Sequence, residues 1–247
     1  MPMVTIKSLR QSGKKRLSFI PTLCTLANAL FGFLAVIKAL EGDFLSAAYC
    51  IVCAAFMDMI DGRIARFFGL ASAFGMELDS LCDAVSFCFV PVIVLYCWGL
   101  HTQGFLGLCI LAFYLWCGLF RLARFNSVTS IDAKHFIGLP TTISAVCLAS
   151  LLAYMPSIDA QSAQVTIQCS MFIVATLSLL MISTLRFAGC KRLPKSNSLS
   201  FSMISAVSLM ACVALYAWPL KLVVPFGYVV IGSVSDIYQR VRYRWHS

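Results

Sequence analysis

Four aspartates, Asp58, Asp61, Asp79 and Asp83, stand inside or at the rim of otherwise apolar segments, within the stretch DMIDGRIARFFGLASAFGMELDSLCD at 58–83. Asp58 and Asp61 are spaced i, i+3, and Asp79 and Asp83 i, i+4, so on helices each pair shares one face. Carboxylates that converge near lipid repel one another and lose hydration, and a lone charge at bilayer depth costs at least ~3 kcal/mol. Acids in such places are kept for function. A hard divalent cation relieves both penalties, and magnesium favours carboxylates combined with substrate phosphates. The stretch reads as a metal site facing a phosphate-bearing substrate. The plainer alternative is a set of helix-end aspartates paired with Arg63 and Arg66.

Between the acidic pairs stand Gly62, Ala65, Arg66 and Gly75. Glycine removes a β-carbon where a ligand or another backbone must come close. Arg66, two turns beyond Asp58, offers phosphate a planar fork of donors. Glu77 reads as a helix-start residue, favourable to the helix dipole. Written out, the pattern is D-x2-D-G-x2-A-R-x8-G-x3-D-x3-D, with every specified position filled. It resembles the signature of the CDP-alcohol phosphatidyltransferases, integral membrane enzymes of phospholipid synthesis.

The elements that must position these residues are membrane helices. Of 247 residues, 60% are hydrophobic and only 12% charged, against about 25% charged in soluble domains. The mean hydropathy is +0.89. No polar stretch is long enough for a separate domain. The net charge of +9 could suggest nucleic acid, but its distribution argues for membrane topology instead. The 12 cysteines lie almost wholly in apolar runs, where a free thiol behaves as a small hydrophobe. All are expected to be reduced. Cys50 and Cys53 form a C-x2-C with no histidine near it, which is poor grounds for zinc.

Residues 1–18 form a basic segment. The apolar run Phe19–Leu40 exceeds a signal-peptide core of ~7–15 residues and lacks a small-residue cleavage site, so it reads as the first span. Further spans are expected over Phe44–Arg66, Met76–Trp98, a fourth ending near Arg121–Asn126, Leu139–Met155, Val165–Phe187, Ser200–Trp218 and Leu220–Ser235. Runs of ~20 apolar residues suit a hydrocarbon core of ~30 Å. The expected architecture is an all-α polytopic bundle of about eight spans over 19–235, flanked by the basic segment 1–18 and a basic tail at 236–247. With eight spans, only Lys38 and Lys221 of the 19 basic residues fall on one side. The positive-inside rule then places both termini and all four aspartates at the cytoplasmic face. The bacterial inner membrane is the expected location.

The resemblance implies a CDP-linked lipid donor, CDP-diacylglycerol, an alcohol acceptor, and CMP as leaving group. It also implies Mg2+ or Mn2+, with two ions expected, bound by Asp58, Asp61 and Asp79. Asp83 matches the family's fourth aspartate, assigned as general base, and could also touch a metal. Gly62, Ala65 and Gly75 would line the cytidine-phosphate pocket and Arg66 would pair with the diphosphate. A homodimer is expected on the same ground, with membrane lipids as surroundings.

Three further stretches resemble the phosphatidylserine synthase branch: Pro21, Asn28 and Gly32 in a P-x6-N-x3-G arrangement, GLFRLARFN at 118–126, and FIGLP at 136–140. LMISTLRF at 180–187 extends the likeness over most of the chain. Thr142 stands where that branch often has a second proline. The implied acceptor is L-serine, whose carboxylate Arg121 or Arg124 could hold. Both arginines also suit plain positive-inside anchoring. A sister enzyme acting on glycerol 3-phosphate or inositol phosphate is the alternative. A cation transporter is a reading of another class, opposed by Arg66 beside the acids and by the lack of polar residues at mid-membrane.

Overall fold

Helix α1 (Phe19–Leu40) carries two stripes along its length. Phe19, Leu23, Leu26, Leu30 and Phe33 point outward and are exposed, while Thr25, Asn28, Gly32, Ala35 and Ala39 are buried. An outward row of large apolar side chains suits lipid, and an inward row of small ones lets a neighbouring backbone approach closely. The neighbour is α2 (Phe44–Phe67), which makes the most extensive helix contact of the fold with α1. It answers with Ala47, Ala48, Ile51, Ala54 and Ala55. Gly42, at φ 79°, makes the turn between the two helices. Asp43 then caps α2 by accepting from the Ser46 amide at 3.0 Å.

The structure is a computed structural model describing residues 19–69, 72–128, 136–154, 160–184, 186–187 and 229. The basic segment 1–18, the loop carrying Asp132, Lys134 and His135, the expected spans Ser200–Trp218 and Leu220–Ser235 apart from Val229, and the tail lie outside the described residues.

Helix α3 (Ala73–Asp83) begins three residues before the expected Met76, because the Ser72 hydroxyl accepts the Gly75 amide at 3.0 Å and fixes the start. Glu77 is therefore in the second turn and exposed, beyond the first turn where a helix dipole acts strongly. Directly after Asp83 the helix widens into a π-helical turn over Ala84–Phe89, then continues as α4 (Val90–Trp98). Pro91 has no amide to give the Phe87 carbonyl four residues back, so a regular helix cannot close there. The widened turn is gripped from two sides. A β-carbon on Gly32 would meet Ser86 Oγ at 2.7 Å, and one on Gly118 would meet Cys88 Sγ at 2.6 Å.

A 3-10 turn at Leu100–Gln103 leads into α5 (Gly104–Val128). Strand β1 (Phe136–Ile137) precedes α6 (Thr141–Tyr154), and α7 (Ala160–Ile182) is followed by β2 (Arg186–Phe187). Helix α6 is the core of the bundle: Leu148, Leu152, Ala145 and Cys147 are fully buried. Its 14 residues span only ~21 Å at 1.5 Å per residue, short of a ~30 Å core.

Apart from the β1–β2 pairing and short turns, the described residues are helical. Five helices are long and apolar enough to cross a membrane by length and composition: Pro21–Leu40, Phe44–Phe67, Ala73–Trp98, Leu100–Ser127 and Gln164–Ile182. The expected sixth span ran to Phe187, but α7 stops at Ile182. Arg186 and Phe187 pair antiparallel with Ile137 and Phe136 instead. Two stretches that read separately in the sequence, FIGLP and LMISTLRF, are thus joined. The ten cysteines among the described residues are free thiols.

Candidate active site

The acidic pairs are delivered by two helices whose ends meet. Asp58 and Asp61 lie within the last three turns of α2, and Asp79 and Asp83 on α3 after the short 68–72 link. Asp58, Asp61 and Asp79 each place a carboxylate oxygen within 4.8 Å of the other two. Asp83 stands beside this trio, within electrostatic reach of all three.

Three of the aspartates are each held by a side chain distant in sequence. Thr25 Oγ1 on α1 donates to Asp61 Oδ2 at 2.8 Å, and this contact is buried. One turn later, Asn28 Nδ2 donates to Asp83 Oδ1 at 3.2 Å. Thr142 Oγ1, at the start of α6, donates to Asp58 Oδ2 at 3.3 Å. Asp79 is different: its Oδ1 is buried and has no hydrogen-bond partner. A buried acceptor left unpaired costs ~1–3 kcal/mol, more for a charged group. An all-oxygen donor set with one orphaned carboxylate oxygen fits a hard divalent cation. Asp58, Asp61 and Asp79 are the residues placed to hold one.

The remaining expected residues are arranged around this cluster. Gly62 and Ala65 are half-buried on the same helix end, and Arg66 is exposed there, close enough to act electrostatically on Asp79. A β-carbon on Gly62 would meet Arg66 Nη2 at 3.7 Å, an ordinary contact, so this glycine and the guanidinium share a face. Gly75 is occupied with the Ser72 cap, and a β-carbon there would meet Ser72 Oγ at 3.0 Å.

The two arginines of GLFRLARFN part company. Arg121 is buried, its Nη1 donates to Thr141 Oγ1 at 3.2 Å, and its guanidinium lies over the Phe125 ring at 5.7 Å. It is also near enough to Asp58 and Asp83 for electrostatic interaction. Arg124 Nη1 instead donates to the Ile182 carbonyl at 3.3 Å, closing the C-terminal end of α7. Gly138 is essential to that arrangement. It sits at φ 87°, and a β-carbon would run into the Met181 carbonyl and come within 2.9 Å of Arg124 Nη2. Leu139 then donates its amide to the Leu180 carbonyl at 3.0 Å.

Sequence reasoning missed Thr25. A threonine in an apolar helix commonly bonds its own carbonyl four residues back, and Thr25 Oγ1 is indeed 3.1 Å from Pro21 O. Nothing local distinguishes that role from a bond to Asp61. The hydroxyl has one proton, and the shorter contact is to the carboxylate.

The model of one protein family, CDP-alcohol phosphatidyltransferase, matches residues 18–177, which contain the whole acidic cluster and its helices. The chain belongs to this family. Among curated relatives of this CDP-alcohol phosphatidyltransferase, the CDP-diacylglycerol–serine O-phosphatidyltransferase of Helicobacter pylori strain J99 is 28% identical over 229 residues, 92% of this chain and 94% of that protein. The enzyme of the same name from Bacillus subtilis strain 168 is 32% identical over 182 residues, 73% of this chain and 96% of that one. The archaetidylserine synthase of Methanothermobacter thermautotrophicus is 31% identical over 180 residues, 70% of this chain and 72% of that one. With its five long apolar helices, this family member is an integral membrane protein.

Proposed function

We propose that the chain transfers the phosphatidyl group of CDP-diacylglycerol to the hydroxyl of L-serine, giving phosphatidylserine and CMP. The observation that carries this reading is a cluster of three carboxylates, one with an orphaned oxygen, with a buried arginine in electrostatic reach of Asp58 and Asp83. The names of relatives aligned over most of the chain support serine as acceptor.

Asp58, Asp61 and Asp79 would hold Mg2+ or Mn2+, with two ions in all and Asp83 standing beside the trio. When bound, such a cation neutralises the diphosphate and steadies the oxygen that leaves with CMP. Arg66, at the exposed end of α2, pairs with the diphosphate, and the small residues Gly62, Ala65 and Gly75 leave space for the nucleotide. Asp83 takes the proton of the serine hydroxyl as its oxygen bonds to the lipid-side phosphorus and the bond to CMP breaks. Asn28 fixes Asp83 by donating to its Oδ1. Arg121 meets the serine carboxylate.

In this reading the chain makes eight spans in the bacterial inner membrane, with the site at the cytoplasmic face, and works as a homodimer. The test is purified protein with CDP-diacylglycerol and labelled serine, glycerol 3-phosphate or inositol phosphate, each with Mg2+, Mn2+ or excess chelator. Phosphatidylserine formed only with metal is the expected result. A product from glycerol 3-phosphate alone would move the chain to a sister reaction. Metal-independent turnover would overturn the role of the aspartates.

A further inference from the structure

Thr141 and Thr142 open α6 directly after Pro140, and their two hydroxyls reach in different directions. Consecutive helical residues do not share a face, so each can serve a separate neighbour. Thr141, fully buried, accepts from Arg121 of α5, while Thr142 donates to Asp58 of α2. The chain thus places one hydroxyl on the proposed acceptor cation and the next on a proposed metal ligand, joined by a single peptide unit.

We propose that this threonine pair is a bracket with two separable duties: Thr142 positions Asp58 for cation binding, and Thr141 positions Arg121 for the acceptor carboxylate. The inference rests on the proposed function. A carboxylate with Oδ2 bonded to Thr142 is restrained within the cluster, so less order is lost when a cation arrives. Outer partners of this kind govern metal affinity because they fix the orientation of the ligand. Arg121 held by Thr141 keeps its remaining donors directed by one fixed point and by the Phe125 ring. Neither threonine touches the reacting atoms, and both act through another residue.

The experiment uses the full chain in detergent, with Mn2+ affinity read directly from the electron paramagnetic resonance of the free ion, alongside serine KM at saturating Mn2+. Thr142→Val is expected to weaken Mn2+ binding by about 10–100-fold, with serine KM little changed. Thr141→Val is expected to raise serine KM about tenfold, with Mn2+ affinity little changed. Thr142→Ser and Thr141→Ser keep the hydroxyls and should restore each value, which also separates lost bonds from lost folding. Wild-type Mn2+ affinity in Thr142→Val overturns the proposal. So does a pattern in which either valine variant moves both quantities together, or one that serine does not rescue. Asp58→Asn serves as reference: if the wild type binds Mn2+ no better than this variant, the underlying metal reading fails and the bracket fails with it.

Discussion

The Tyr114 hydroxyl on α5 donates at 3.2 Å to the carbonyl of Phe87, the group that Pro91 leaves without its helical amide. Tyr114 is fully buried, and the bond is made inside the protein. It stabilises the π-helical turn that starts immediately after Asp83. Such turns recur at functional sites, and here the turn sets how α3 meets α4.

Replacing Tyr114 by Phe removes a buried hydrogen bond to the Phe87 carbonyl. The expected loss is ~0.5–1.5 kcal/mol of stability, read as a lower thermal midpoint in detergent. Turnover should fall as well, since Asp83 immediately precedes the turn. An unchanged midpoint would mean that the carbonyl is satisfied without the phenol.

The aspartates should divide by role. Asn at 58, 61 or 79 is expected to abolish turnover and weaken Mn2+ binding, because a neutral amide removes a ligand charge. Asp83→Asn should abolish turnover while leaving CDP-diacylglycerol binding largely intact, since a base acts on the acceptor. Isothermal titration with the lipid nucleotide, next to turnover assays, checks both. Near-normal rates for Asp83→Asn with serine at neutral pH would remove the base assignment.

Arg121 and Arg124 should no longer behave alike. Losing a charge-assisted contact costs ~1.5–3 kcal/mol, so Arg121→Ala is expected to raise the half-saturating serine concentration more than tenfold while CDP-diacylglycerol affinity changes little. Arg124 is bonded to the Ile182 carbonyl, so Arg124→Ala should chiefly lower thermal stability. A serine effect equal in the two variants would contradict this division.

The connections between the long helices make topology testable. Single cysteines placed at Gly42 and His101, in a background lacking other reactive thiols, should label from one face of the membrane. One at Gly69, between α2 and α3, should label from the opposite face. Labelling of positions 42 and 69 from the same side would be incompatible with α2 crossing the membrane.

Much of this protein is local, and local order is what a sequence carries. Apolar runs interrupted at Glu41–Asp43, Gly69 and Gly99 mark where helices end, and i, i+3 or i+4 spacing puts aspartates on one face whatever surrounds them. The pairing of Asp58 and Asp61 with Asp79 follows, because two helices joined by a short link must bring their adjoining ends together. The holding contacts are another matter. Thr25, Asn28 and Thr142 reach their aspartates across 36, 55 and 84 residues. Threonine and serine hydroxyls elsewhere in the bundle, at Ser150, Thr176 and Ser178, bond the carbonyl four residues back in their own helix. The same residue type thus has two outlets of comparable strength, one always available within the helix and one available only if a carboxylate packs alongside. The same holds for the arginines: Arg121 and Arg124 lie one turn apart, yet one meets Thr141 and the other an open helix end. The sequence determined which groups could donate. Helix packing alone decided which acceptor each one met, because a hydrogen bond is satisfied only within about 3 Å.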